Sequence, residues 1–152
     1  MTSIRHGVPS DATAIGTLVC SHVAASLVDP EGAEAQRFYA TMSPSEVEKK
    51  MTRPNLFYVV AEIDSTVQGM ILIRDNCHVG QFFVREAHQG KGLGSALWQF
   101  AVANAKRRGG TGLFTVNSSF YAEPIYRRFG FFPTGGPDVM QGFKFIPMQK
   151  EP

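Results

Sequence analysis

The run Gln89-Gly90-Lys91-Gly92-Leu93-Gly94-Ser95 places three alternating glycines between an apolar β-like segment, Val79 to Val84, and a helical segment that opens at Leu93. Glycines so spaced serve a helix badly and an anion well. A glycine turn ahead of a helix leaves several N–H groups without intrahelical partners and lets a bulky phosphate approach without meeting a Cβ; the helix dipole adds partial positive charge. The chemistry implied is the holding of a phosphorylated cofactor. Spacing excludes two nucleotide binders. A dinucleotide fingerprint, counted from Gly90 or Gly92, needs its third glycine where Ser95 or Leu97 stands, and a P-loop needs Ser or Thr where Lys91 is followed by Gly92.

With Gln89 opening it, the loop resembles the pyrophosphate loop, Q-x-x-G-x-G, of the GNAT superfamily of acetyl-CoA-dependent N-acetyltransferases. The stretch from Asn117 to Phe131 is similar to that superfamily's second signature: an Asn ending a strand, a short helix with an inward tyrosine, Tyr126, then Gly130-Phe131. Both occur in the right order. The resemblance implies an α/β fold, a single N-acetyltransferase domain over residues 1–152 with a mixed, mostly antiparallel sheet flanked by helices. It also implies acetyl-CoA as cosubstrate, no metal, a small-molecule or peptide amine as acceptor, and a superfamily in which dimers are common.

By the same resemblance, the backbone amides of Gly90, Lys91, Gly92, Leu93, Gly94 and Ser95 face the pyrophosphate, and Gln89 begins the clamp. The pantetheine arm runs beside the strand ending Phe82-Phe83-Val84, where amides near Phe83 and Val84 polarise the thioester carbonyl. Asn117 holds the pantetheine or orients water. Tyr126 matches the tyrosine that protonates the leaving thiolate, whereas Tyr121 reads as packing or coenzyme contact. A non-catalytic acyl-CoA-binding sensor is the alternative; it would keep the loop and leave Tyr126 and Asn117 without a role.

Acetyl transfer to an amine needs a base, because an alkylammonium of pKa about 10 is almost wholly charged at neutral pH. His78 is the first candidate: it lies on the strand where some superfamily members carry a glutamate base, and an ordinary imidazole accepts protons near pH 7. Glu62 and Gln81, acting through water, compete with it. Cys77 beside His78 does not form a dyad, since neighbouring strand residues point to opposite faces. His6, His22 and His88 have no metal-site spacing. Phe38 and Tyr39, with Asp29, Glu31 and Glu34, lie in the region that shapes the acceptor pocket and suggest a small amine.

The remaining chain must position these groups. Its 152 residues suit one core, and the 43% apolar and 18% charged shares are those of a globular protein without a membrane span. A net charge of +2 is too small to imply a nucleic-acid partner. Lys106-Arg107-Arg108 falls at a helix C-terminus, where cations offset the dipole, and Arg127-Arg128 faces either a coenzyme phosphate or solvent. The N-terminus lacks a secretory signal, and two cysteines give no disulfide framework, which together predict a cytoplasmic protein.

Periodicity predicts a strand at Ser3 to Gly7, a helix after Pro9 carrying Ile15, Leu18, Val19 and Val23, a helical stretch from Ala33 to Tyr39, and a helix from the Ser43-Pro44-Ser45-Glu46 capping box to Arg53. Strands follow at Leu56–Ile63, Val67–Ile73 and Cys77–Val84. After the glycine loop come a helix to about Arg108, a strand from Gly112 to Asn117, a helix near Ala122–Phe129, and strands at Phe131–Thr134 and Gly142–Met148, with a loop from Gly135 to Asp138.

Overall fold

The computed structural model describes residues 1–152. Strand β1 (Thr2–His6) leads through a 3₁₀ turn at Pro9–Asp11 into α1 (Ala12–Val23), followed by α2 (Ala33–Ala40) and α3 (Pro44–Met51). Then come β2 (Leu56–Ile63), β3 (Thr66–Arg74), β4 (His78–Val84), α4 (Leu93–Arg107), β5 (Phe114–Ser118), α5 (Glu123–Arg128), β6 (Phe132–Pro133), β7 (Asp138–Met140) and β8 (Phe143–Lys150). The sheet order is β1-β2-β3-β4-β5-β8-β6, with β7 on β8. Only β4 and β5 pair in parallel. This is the mixed, mostly antiparallel α/β sheet expected from the sequence. No helix is long and apolar enough to cross a membrane.

Local chemistry sets most boundaries. Asp64 and Ser65, both at positive φ (49° and 67°), turn β2 into β3 in two residues. Ser43 caps α3 by accepting from the Glu46 amide at 3.4 Å, but the Glu46 carboxylate receives Lys49 Nζ at 3.1 Å rather than closing the capping box. The last third departs from the sequence reading. Gln141 and Gly142, at φ 52° and 84°, make a turn where a strand was expected to begin, and β7 precedes it. Three residues exposed on both faces leave no alternation to read.

The central strands bury both faces. Along β2, Phe57, Val59 and Ala61 meet Leu97, Trp98 and Ala101 of α4, while Tyr58 and Val60 meet Ile15, Leu18 and Val19 of α1. Hence β2 and β3 read as nearly unbroken apolar runs. Helices α1 to α3 thus cover one face, and α4 and α5 the other.

Two contacts fix the helical layer over the first face. A Cβ on Gly16 would stand 2.4 Å from the Met42 carbonyl oxygen, so α1 needs glycine there to approach the chain entering α3. Buried Asp11 accepts from both guanidinium nitrogens of Arg5, at 2.8 and 3.1 Å, and from the Val8 amide at 2.8 Å; Arg5 also reaches Glu62 at 2.7 Å. Burial opposes charge on Asp11, but the Arg5 and Val8 bonds outweigh it and hold the carboxyl below its ordinary value.

Gly16→Ala should therefore destabilise the fold despite alanine's helix advantage of about 1 kcal/mol, because overpacking against a backbone carbonyl costs about 1–3 kcal/mol and occasionally more. A melting temperature unchanged or raised would contradict this close approach. Asp11→Asn should cost about 1–3 kcal/mol at pH 7. A depressed native pKa stabilises above the unfolded value and is lost as pH falls through the folded one, so denaturation curves of the two proteins should converge below about pH 4.

Candidate active site

The site begins where two neighbouring strands part. β4 and β5 pair only at His78↔Thr115 and Val79↔Val116, with the Thr115 amide donating to the Cys77 carbonyl at 2.8 Å. On the other side of β4, Ile73 pairs with Val79 but Leu72 with Gln81, which leaves Gly80 as an extra residue. Such a bulge bends its strand. Past Val79, β4 turns away from β5 and a cleft opens between them.

The extra residue also changes which amides face the cleft. Arg85 N–H donates to the Gln68 carbonyl at 2.8 Å, so by antiparallel alternation Phe83 and Gln81 are bonded to β3, while Phe82 and Val84 turn their backbone groups the other way. The Phe83 amide, expected to face a thioester, is therefore committed to β3; its ring lies beside His22 at 5.5 Å between centroids. Phe82 takes the place in the cleft that sequence reading gave to Phe83. The overlooked signal was a lone glycine inside a strand.

On the facing edge, Asn117 lies opposite Pro147 of β8. Pro147 has no N–H, and its carbonyl accepts from Thr134 at 2.9 Å on the far side, so the Asn117 amide and carbonyl point into the cleft. Asn117 is exposed. Two strand edges with free peptide groups thus face each other across a gap that an extended amide-bearing chain can fill.

At the cleft mouth, none of the six amides of Gly90, Lys91, Gly92, Leu93, Gly94 and Ser95 has an acceptor within the protein. Gly90 and Gly92 adopt positive φ, 75° and 83°, and a Cβ at either would meet nothing within 4 Å. The space above the loop is open. Gln89 braces it: its Nε2 donates to the Val84 carbonyl at 2.9 Å, and its Oε1 accepts from the Tyr121 hydroxyl at 2.6 Å. That pair of bonds joins the end of β4 to the chain leading into α5. Arg127 pairs with Glu123 within α5.

Tyr126 projects from α5 into the core beneath α4, its ring edge-on to Phe82 at 6.1 Å and to Phe131 at 5.3 Å. Burial raises its phenol above the ordinary tyrosine range, so it is fully protonated at neutral pH. The buried side-chain polar atoms without partners are Gln81 Oε1 and Asn104 Nδ2, so the Tyr126 hydroxyl, which also lacks a partner, keeps an opening to solvent. His78 sits on the opposite face of the sheet, Nδ1 2.8 Å from Thr115 Oγ1. Burial, aided by the Arg74 charge, lowers its pKa and leaves it neutral at pH 7.

Phe82 follows His78 by four positions, roughly 12 Å along the strand, so His78 reaches the middle of the cleft only through water. Gln81 lies closer, its Nε2 donating to Met42 Sδ at 3.7 Å. Glu62, on β2, is bound to Arg5 of β1, with β3 between it and the strand that edges the cleft. No group of three His, Cys, Asp or Glu side chains is arranged to hold a metal.

Residues 25–152 match the family model described as an acetyltransferase (GNAT) domain. The fold is similar to that of PaiA N-acetyltransferase from Thermoplasma acidophilum in complex with coenzyme A, with TM-score 0.78, 17% identity and 99% of each chain covered. It also resembles a GNAT-family acetyltransferase from Staphylococcus aureus Mu50 (TM-score 0.76, 14% identity, 99% of this chain and 98% of that one). YncA from Salmonella typhimurium, solved with acetyl-CoA, aligns with TM-score 0.69 and 23% identity over 98% of this chain and 92% of its own. No curated protein matches the sequence significantly.

Acetyl-CoA at a hundredfold excess over Kd should stabilise the protein by about 2.7 kcal/mol, a melting shift of roughly 5–10 °C. Gly92→Val should remove most of that shift, since its side chain has room in the protein but occupies the phosphate's approach and strains a positive φ. A folded variant that keeps the full shift would take the loop out of the site.

Proposed function

The chain belongs to the GNAT acetyltransferase family, and from that premise we propose that it transfers an acetyl group from acetyl-CoA to a primary amine by direct attack in a ternary complex. The observation that carries this reading is the conjunction of six unpaired loop amides with a protonated tyrosine beside a cleft of free peptide edges. The loop amides and the α4 dipole bind the pyrophosphate. The pantetheine lies between the strands, its amides answering the free peptide groups of Phe82 and Asn117 and the Val84 N–H. Phe83 and Gln89 support this arrangement from behind it.

The thioester carbonyl accepts from the Phe82 amide, which strengthens as the oxygen becomes an oxyanion. The amine enters from the face bearing α1 to α3, where neutral His78 takes its proton through water. Nitrogen bonds to the carbonyl carbon, the C–S bond breaks, and Tyr126 protonates the departing sulfur from the other face. Burial of the phenol suits this part. It keeps the proton in place until a thiolate, destabilised by the same apolar walls, demands it.

Tyr126→Phe should lower kcat by roughly ten- to a thousandfold while leaving coenzyme affinity almost unchanged. An unaltered kcat would refute the acid assignment, and acetyl-CoA binding without acetylated product from a broad amine panel would favour an acyl-CoA sensor. His78→Gln should reduce kcat/KM most at low pH, where little neutral amine exists. A pH profile identical to the parent's would make His78 structural and leave the water near Gln81 as the acceptor.

A further inference from the structure

A chain of hydrogen bonds that the reaction does not use lies across the cleft mouth. After β4, a 3₁₀ turn at Glu86–His88, closed by the Gln89 amide on the Glu86 carbonyl at 3.2 Å, brings the Gln89 side chain back over the strand end. Its Nε2 donates at 2.9 Å to the Val84 carbonyl, which faces the cleft and not β3. Its Oε1 accepts at 2.6 Å from the hydroxyl of Tyr121, which follows β5. One side-chain amide thus stands where a peptide group would stand if another strand lay between the parted edges.

Both ends of this tie are fixed. Val84 is held in β4 by its pairing with Gly69. Tyr121 lies in a turn that its own neighbours close: buried Ser118 donates to the Ser119 carbonyl at 2.7 Å, and Ser119 Oγ accepts from the Ala122 amide at 3.1 Å. Tyr121 is 72% exposed, so core packing does not hold its ring. The bond at its tip does. An exposed hydrogen bond often does no more than satisfy two polar groups, and a ring left in solvent gives up rotamer freedom to make one. Here the bond spans the two edges that must stay apart, and its acceptor is the residue joined to Gly90, where the open loop begins. The free N–H of Val84 lies immediately inside the tie, which therefore marks the outer end of the cleft.

Resting on the N-acetyltransferase reading above, we infer that Tyr121 is a positioning residue for the coenzyme: acting through Gln89, it ties the chain after β5 to the end of β4 and fixes the width of the cleft mouth before the pantetheine arm enters. The arm then fills the cleft inward of Gln89 and turns toward the pyrophosphate loop over that side-chain amide. A cleft already set at this width spares the coenzyme the cost of ordering its two edges. Loss of the tie therefore shows as weaker coenzyme binding by a protein that is still folded. One hydrogen bond of ordinary net strength corresponds to about three- to tenfold in affinity.

The test measures acetyl-CoA affinity by calorimetry, and its association and dissociation rates by stopped flow, in the parent, Tyr121→Phe, Tyr121→Ala, Gln89→Ala and the double variant Tyr121→Phe with Gln89→Ala, each first shown by its melting curve to be folded. Tyr121→Phe should raise the Kd about three- to tenfold through faster dissociation, and Tyr121→Ala should raise it by about as much. In the Gln89→Ala background the phenylalanine substitution should add less than about twofold, because the two residues act as one unit. An unchanged Kd in Tyr121→Phe would make the bond a surface contact and overturn the inference. Faster association would make the bond a bar to entry. A loss in Tyr121→Ala far beyond that in Tyr121→Phe, or one that persists in the Gln89→Ala background, would give Tyr121 its own contact with the coenzyme. Each of these overturns the inference while leaving the transferase reading intact, whereas no binding of acetyl-CoA by the parent would overturn both.

Discussion

A single inserted residue, Gly80, governs the geometry on which the site depends. Without it β4 would continue beside β5 and the sheet would close, its peptide groups spent on each other. With it the strands share two pairs and then separate, and the alternation of β4 shifts by one residue. That shift keeps the side chains of Phe82 and Val84 against the α4 face while their amides turn to the cleft. The cleft is thus a fault in a ladder, held open by two well-packed cores that do not follow it. A Cβ at Gly80 would lie 3.3 Å from Leu72 Cδ2, close enough that the Leu72 side chain would have to shift.

The two faces of the sheet divide the chemistry. Tyr126 belongs to the core under α4 and α5, whereas His78, Gln81 and the Phe83 ring belong to the layer covered by α1 to α3. In the proposed reaction the leaving thiol and the arriving amine therefore occupy opposite faces and do not compete for space. Desolvation acts on both faces but with opposite sign in charge: it keeps the phenol protonated and the imidazole unprotonated. Each side chain is therefore held in the state the proposed acyl transfer calls for, with Arg74 adding to the effect of burial on His78.

Much of this was legible in the sequence for identifiable reasons. The glycine loop declares itself because unpaired amides at a helix start need residues without side chains, and Gly90 and Gly92 do adopt the positive φ that such a turn demands. The apolar runs of β2 and β3, the cap at Ser43 and the turn at Asp64-Ser65 also carry local signals. What escaped depends on relations between distant residues. A bulge shifts the cleft amide from Phe83 to Phe82, and only the pairing with Leu72 and Ile73 reveals it. Gln89 looked like part of a phosphate clamp, yet its amide group is spent on Val84 and Tyr121. Glu62 is an available carboxylate by composition and an occupied one by position. The strand β7 has too few residues, and too little buried surface, to leave a pattern.

Pro147 acts beyond its own place in β8. A proline in a strand is tolerated where the missing N–H has no acceptor opposite it, and Asn117 offers such a position, because its own carbonyl looks toward the cleft. Were β8 to slip by one residue, Pro147 would confront Val116 or Ser118, and a carbonyl inside the sheet would lose its donor. Slippage would also turn every inward side chain of β8, Phe145 and Met148 among them, to the wrong face. The ring that contributes no hydrogen bond therefore serves as an alignment pin. It makes one pairing of the C-terminal strand far better than its neighbours, so the cleft edge at Asn117 is set during assembly of the sheet, before any coenzyme arrives.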